Sequence, residues 1–288
     1  MEFRDIKDVL TFAAFRPEPD NASASWNRRF PNRRSVMINI SRGHVNWALL
    51  NKKQKVDDIG EADGDFMDIA AAMSDEWLNY AEDGWVGVSV NTRFIITLEH
   101  NLSRKVGWEE TIRNNPKSIL GTKYDRAKRY ALHHSQDTSS SLLLACDQSM
   151  IQTVEDALRN HNLRAARITC GLFAMTTRLL SEIESDAARK AQDLIIVTWL
   201  NNSLFVLRQK NGQWQDVRCR SGLPPQDNNS IAQVLRPFLK TADAGTKFLF
   251  LADEPGSEFE QQYLPQLDNF HITNLTDSYH LWNLLARH

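Results

Sequence analysis

Residues 36–50 have the sequence Val36-Met37-Ile38-Asn39-Ile40-Ser41-Arg42-Gly43-His44-Val45-Asn46-Trp47-Ala48-Leu49-Leu50. Two apolar runs of high strand propensity flank a polar turn, and a third short run follows near 55–59. Apolar runs bounded by turn residues are typical of strands. Apolar residues then recur at helical spacing over 66–80. This stretch therefore predicts a three-stranded meander followed by a helix.

The second half of the chain repeats this order of elements. Residues 194–200 and 203–208 predict strands joined by Asn201-Asn202, and Asn211-Gly212 turns the chain into a third strand over 214–219. Paired Asn and Asn-Gly suit the two-residue turns that need positive φ. A helical pattern follows to about residue 240. Because internal repetition is a fold-level feature, we expect a two-lobed α/β protein with a cleft between the paired turns.

The segments between and around the two repeats complete the expected organisation. Residues 85–90 and 94–98 predict a hairpin, and residues 124–132 predict a helix. A buried strand is expected over 142–146, and a helix should follow it to Asn160. The predicted divisions are an N-terminal arm or linker over 1–35, a first lobe over 36–190 with an inserted subdomain at about 99–163, and a second lobe over 191–288.

Composition excludes several classes of protein. The 288 residues carry 34 Lys+Arg and 36 Asp+Glu, a net charge of −2, so charge gives no reason to expect a nucleic-acid partner. The apolar runs are far shorter than the roughly 20 residues of a spanning helix, and the first residues do not resemble a signal peptide. We therefore expect a soluble cytoplasmic protein. The four arginines in 28–34 suit a solvated linker, or contact with acidic lipid or a carboxylate-rich partner.

Residues typical of metal sites and nucleophilic catalysis are scattered. The three cysteines, Cys146, Cys170 and Cys219, form no CxxC pair, and we expect them to be small buried side chains in a reducing compartment. No pair among the eight histidines has H-x-x-x-H spacing. The sequence thus predicts no catalytic residue, no metal site and no cofactor.

The order of these elements resembles the actin-like ATPase fold, in which each lobe opens with a β-meander whose first turn faces nucleotide phosphates. Residues 142–147, the helix to Asn160 and the stretch 162–175 are similar to the type IV pilus assembly protein PilM. Thr92-Arg93 occupies the place of that family's "h-x-T-R", and residues 281–287 resemble its "GLALR" ending. The small MshI-type proteins of mannose-sensitive haemagglutinin pili are the nearer members, and FtsA and the cytoplasmic part of GspL are more distant. The resemblance implies a small inserted subdomain of the FtsA and PilM type.

Set against that family, the nucleotide positions are degenerate. The first "D-I-G" turn corresponds to Asn39-Ile40-Ser41, and the second to Val197-Thr198-Trp199. Where the family has a Gly-Gly pair near the adenosine, this chain has Ala252-Asp253-Glu254. Binding Mg-ATP needs carboxylates near the metal and glycines in the phosphate turns, so the resemblance implies a lost site. The alternative, an anion nest formed by residues 41–43, stays open.

The resemblance further implies a scaffold at the cytoplasmic face of a pilus or secretion machine, peripheral to the inner membrane. The expected partner is the cytoplasmic N-terminal peptide of a PilN-like inner-membrane protein, with contacts to the assembly ATPase. The implied peptide groove involves Arg93, Phe94, Ile96 and Leu172. Arg93 would pair with a partner carboxylate.

Two alternative functions remain. A nucleotide-binding actin-like ATPase or sugar kinase would need the acidic and glycine positions described above. A GspL-like secretion component would continue into a membrane helix beyond His288 in its full-length form.

Overall fold

The structure is a computed structural model. It describes residues 33–92, 95–100, 111–112, 114–134, 141–185, 192–252, 256–263, 265, 271–276 and 282.

The first sheet is built from the predicted meander and two further strands. Its elements are β1 (Ser35–Ser41), β2 (His44–Leu50), β3 (Val56–Asp63), helix α1 (Phe66–Tyr80) and β4 (Trp85–Val90). The Asp65 side chain caps α1 by accepting a hydrogen bond from the Met67 backbone, as a carboxylate at a helix N-terminus should. β1 pairs antiparallel with β2 and parallel with β4. The predicted meander and helix are therefore confirmed.

A smaller sheet is inserted between β4 and the last strand of the first sheet. Its elements are β5 (Ile95–His100), α2 (Lys117–Leu120), β6 (Lys128–His134), β7 (Ser141–Asp147) and α3 (Gln148–Arg159). The strand order is β5-β7-β6, and both pairs are antiparallel. One face is covered by an apolar cluster that includes Ile112, Leu120 and Tyr130.

Two local predictions about this region are wrong. The expected hairpin over 85–98 does not form, because β4 pairs within the first sheet while β5 pairs with β7. The expected helix over 124–132 is wrong, because most of this stretch belongs to strand β6. Successive side chains of a strand point to opposite faces, and that of Tyr130 points to the buried face. In contrast, the predicted strand at 142–146 and the helix that follows are confirmed as β7 and α3.

The chain returns to the first sheet and then builds a second one with the same connectivity. The elements are β8 (Arg164–Cys170), α4 (Gly171–Ser185), β9 (Asp193–Leu200), β10 (Ser203–Lys210), β11 (Gln213–Ser221), α5 (Asn228–Thr241), β12 (Lys247–Leu251), α6 (Glu258–Tyr263) and β13 (His271–Asn274). The first sheet has the order β3-β2-β1-β4-β8, and the second has β11-β10-β9-β12-β13. The expected repetition is confirmed. The numerical domain boundaries remain a prediction.

Helix α4 occupies the space between the two large sheets. The cluster around it contains Met37 of β1 together with Ile196 and Phe205 of the second sheet, so that the two sheets share one core. Alternate residues of the same strands point the other way, so that Ile38 packs with α1 and Val197 packs with α5. One helix thus supports both sheets.

In the part of the chain that the structure describes, no helix combines the length and the apolar character needed to cross a membrane.

Candidate functional site

A row of polar side chains crosses the inner face of the first sheet near the carboxyl ends of its parallel strands. Asn39 on β1 is the register partner of Asn46 on β2 and of Ser89 on β4, and Ser89 is the partner of Thr169 on β8. Register partners project from the same face of a sheet. Ligands of α/β proteins typically bind at this end of parallel strands, which makes the row the candidate site.

The row contains buried polar atoms without a partner. The Asn39 side-chain nitrogen donates to Asn46 Oδ1 over 2.9 Å. Asn39 Oδ1 and Ser89 Oγ are buried, and neither has a hydrogen-bond partner among the described residues. Such atoms in a native protein are commonly satisfied by ordered water. A small cavity of about 10 Å³ beside them is lined by Met37, Ser89, Arg167 and others, and it is large enough for one water molecule at most.

Arg167 is the buried charged group of this region. Its side chain belongs to β8 and the residue is 6% exposed. Burial lowers the pKa of the guanidinium, because desolvation disfavours the charged form. The guanidinium nevertheless remains protonated at neutral pH, since arginine is not deprotonated in proteins. The candidate site therefore combines neutral amides and hydroxyls with one buried cation.

The second-lobe counterpart of Asn39 is Thr198. The closing pair of the first hairpin is Ser41–His44, and that of the second is Leu200–Ser203. Counting back from these pairs, Thr198 matches Asn39 and Leu200 matches Ser41. The sequence comparison matched Val197 and Trp199 to the first and last residues of the family's second "D-I-G" turn. That match is wrong by one residue.

Val197 and Trp199 lie on the opposite face of β9. Both belong to the core beneath α5, and the Trp199 ring stacks on Phe259 with centroids 4.1 Å apart. Thr198 is fully buried on the inner face, where its hydroxyl lies 3.3 Å from that of Thr176 on α4. Neither Asn39 nor Thr198 carries the negative charge that attracts a hydrated Mg²⁺ ion, so these two positions do not fit Mg-ATP.

The turn of the second hairpin sits on the end of strand β4. Asn201 and Asn202 have φ values of 47° and 58°, as the predicted two-residue turn requires. The Asn91 side-chain amide donates to the Asn201 carbonyl over 3.0 Å, and the hydroxyls of Thr92 and Ser203 lie 2.5 Å apart. The second lobe therefore contacts the carboxyl edge of the first sheet directly. We call these contacts the inter-lobe latch.

Gly171 allows helix α4 to begin beside this latch. A Cβ atom at this position would lie 2.4 Å from Ser89 Oγ and 2.8 Å from Leu200 Cδ2. Real Cβ atoms do not approach other atoms so closely, so the two lobes could not pack as they do around any larger residue. Sequence reasoning missed Ser89, Asn91 and Ser203. Polar residues that follow a buried strand, such as Asn91, were the available indication.

The predicted partner-binding residues are dispersed. Arg93 and Phe94 lie outside the described residues. Ile96 lies in β5 opposite Ala145, at the edge of the inserted sheet. Leu172 is 1% exposed within the core around α4, which leaves it no surface for a partner, and we drop it from the proposed groove. Asp253 also lies outside the described residues, while the adjacent Ala252 is buried and its backbone N–H donates to the Thr276 hydroxyl.

Cys146 and Cys170 are buried as expected, whereas Cys219 is partly buried against the core around α4. Burial raises the pKa of Cys146 to about 11 and that of Cys219 to about 12, and it raises the pKa of Cys170 further. Thiols with raised pKa values are poor nucleophiles. Within the described ranges, no group of three or more His, Cys, Asp and Glu side chains is placed to hold a metal ion.

Comparison with known proteins identifies the class of fold. No protein-family model matches the chain, and its sequence matches no curated protein. Solved structures do match: a protein of Bacteroides thetaiotaomicron with an actin-like ATPase fold has a TM-score of 0.56 at 10% identity, covering 89% of this chain and 95% of that one. The chain therefore has the two-lobed actin-like fold, as predicted.

Two further structures come from pilus and secretion systems. A chain of the PilM–PilN type IV pilus biogenesis complex matches with a TM-score of 0.56 and 12% identity, covering 88% of this chain and 90% of that one. The cytoplasmic domain of EpsL, an inner-membrane component of the type II secretion system of Vibrio cholerae, matches with a TM-score of 0.53 and 10% identity, covering 88% and 93%. At these identities the similarity is one of fold.

Proposed function

We propose that this chain is a non-catalytic scaffold of a type IV pilus or type II secretion machine. In this role it binds the cytoplasmic N-terminal peptide of a PilN-like inner-membrane protein, which holds it at the membrane surface. An MshI-type pilus system is the proposed setting. The likeness in fold to PilM and to cytoplasmic EpsL supports this assignment.

The observation that carries the non-catalytic role is the inter-lobe latch. In an actin-like nucleotide-binding protein, phosphates lie between the two first hairpins. Here the Asn201–Ser203 turn is hydrogen-bonded to Asn91 and Thr92, just beyond the end of β4, so that the second hairpin is held against the first sheet. Asn39 and Thr198 stand where two carboxylates would be expected. The latch and the two uncharged side chains both support a protein that binds partners and does not hydrolyse nucleotide.

The edge of the inserted sheet supports peptide capture. Strand β5 pairs with β7, and no other described strand lies along its outer edge. An extended peptide can join such an edge through main-chain hydrogen bonds, with side chains giving specificity. Arg93 precedes β5 by two residues and would supply a charged contact to a carboxylate of the peptide.

Mg-ATP should leave the melting temperature of the full chain unchanged at millimolar concentration. A ligand that binds only the folded state stabilises it by RT ln(1 + [L]/Kd), so that a bound nucleotide would be visible in a thermal-shift assay. A melting temperature raised by Mg-ATP, but not by Mg²⁺ with free phosphate, would favour the ATPase or sugar-kinase alternative. A rise with phosphate as well would indicate an anion nest at residues 41–43.

Arg93→Glu should abolish capture of the N-terminal peptide of a PilN-like protein encoded by the neighbouring gene. Reversing a charge-assisted contact costs about 2–5 kcal/mol, which corresponds to a loss of affinity of about 30-fold or more. Arg126→Glu is the matched control, since this exposed arginine lies before β6, at the other edge of the same sheet. Equal binding by both variants would place the groove elsewhere. Absence of binding by the unaltered protein would count against the proposed function itself.

A further inference from the structure

The two large sheets each end in the third strand of their meander. Strand β3 closes the first sheet and β11 closes the second, with 8 and 9 residues respectively. No strand in the described part of the chain pairs with the outer edge of either one. An open edge of this length is a template for pairing with another chain.

Because the two lobes share one connectivity, β3 with α1 corresponds to β11 with α5. The first pair carries seven acidic residues and no basic one: Asp57, Asp58, Glu61, Asp63, Asp68, Asp75 and Glu76. The second pair carries four basic residues and one acidic residue: Arg218, Arg220, Arg236 and Lys240, with Asp216. Equivalent surfaces of the two lobes thus have opposite charge.

The charges of both surfaces face solvent. All four acids of β3 are exposed, and so are the four basic residues of β11 and α5, of which Arg218 lies 3.6 Å from Asp216 of its own strand. Among the described residues, no lysine or arginine forms an ion pair with the seven carboxylates, although His44 lies near Asp63 and Glu61, and Asp57 accepts hydrogen bonds from Tyr80 and Asn51. The lysines at 52, 53 and 55 are confined to the turn before β3.

We infer that copies of this chain associate head to tail, with the acidic β3 edge of one copy against the basic β11 edge of the next. The backbone groups of two open strands supply hydrogen bonds, and the opposite charges select unlike edges, since two β3 edges would repel each other. Such a contact is heterologous, so each copy keeps one edge of each kind available. The inference does not depend on the proposed peptide partner.

The test is sedimentation velocity of the full chain over the micromolar range, at about 20 mM and about 500 mM NaCl, where the Debye length falls from about 20 Å to about 4 Å. We expect concentration-dependent association at low salt and its loss at high salt. Asp58→Lys with Glu61→Lys, and separately Arg218→Glu with Arg220→Glu, should each be monomeric. A mixture of the two variants should associate again, because one native junction remains between them.

Arg126→Glu with Arg159→Glu is the matched control, because it changes the net charge by the same amount as the β11 variant, at exposed positions outside β3, α1, β11 and α5. Thermal melts check the folding of each variant, and Asp68→Lys with Asp75→Lys on α1 replaces the β3 variant if that one melts early.

An unaltered protein that stays monomeric at low salt overturns the inference, as does association that survives either reversal. Loss of association in Arg28→Gln with Arg29→Gln, but not in the β11 variant, would instead assign the acidic edge to the N-terminal arm and also overturn it.

Discussion

Replacing Phe173 by alanine is expected to lower the free energy of unfolding by about 4 kcal/mol, within the range for truncating a buried aromatic ring. Phe173 is 2% exposed on helix α4, and its ring meets that of Phe205 edge to face with centroids 5.3 Å apart. Phe205 belongs to the second sheet, whereas Met37 of the first sheet lies in the same core. The truncation therefore opens a cavity in the core that both sheets share.

Urea unfolding, followed by circular dichroism and by tryptophan fluorescence, measures this effect. Phe173→Leu is the control, because it keeps most of the buried volume and should cost about 1.5 kcal/mol or less. Both signals should report one transition in the unaltered protein, since α4 supports both sheets. A loss below about 1 kcal/mol for the alanine variant would be too small for a cavity of this kind and would contradict the placement of α4 between the sheets.

Gly171→Ala is expected to destabilise the protein by about 1–3 kcal/mol, the usual cost of overpacking a core. The added methyl would lie 2.4 Å from Ser89 Oγ and 2.8 Å from Leu200 Cδ2. Leu200 is buried and has little room to move away. The melting temperature should fall by several degrees, which differential scanning calorimetry would record.

A double-mutant cycle separates the clash from other effects of alanine. Ser89→Ala in the Gly171→Ala background removes the nearer of the two contacts and should restore part of the lost stability. Gly245→Ala is the control, because this exposed glycine has ordinary φ and its added Cβ would meet only Asp243 Oδ1, at 3.3 Å. That variant should change stability by about 0.5 kcal/mol or less. A neutral Gly171→Ala would show that the Ser89 and Leu200 side chains move aside for the methyl group, and it would contradict the expected overpacking.

The sequence predicts those parts of the fold whose contacts are local. Both meanders are recognisable because each strand pairs with the next and because Asn201-Asn202 and Asn211-Gly212 permit the turns. The prediction pairs β5 with the wrong strand because its true neighbour, β7, begins 41 residues after the end of β5 at His100. The helix predicted over 124–132 is wrong because short apolar patterns do not distinguish strand from helix.

The candidate site was predicted only in part, because side chains alternate between the two faces of a strand. The sequence comparison puts Asn39 at the first nucleotide position and Val197 at the second, but a shift of one residue on β9 moves every side chain to the opposite face. Only the hairpin register reveals that Thr198 rather than Val197 faces inward. The latch joins Asn91 to Asn201 over 110 residues of chain, and no periodicity within either strand indicates such a contact.

Strand β4 lies between β1 and β8 and runs parallel to both, and only two residues separate Thr92 from β5. A membrane-anchored partner held on β5 would apply tension to the chain just beyond β4. Tension along a strand loads its two hydrogen-bonded ladders in shear, so that their bonds must break together instead of opening one by one. In that arrangement, the ladders that join β4 to β1 and to β8 would carry the load.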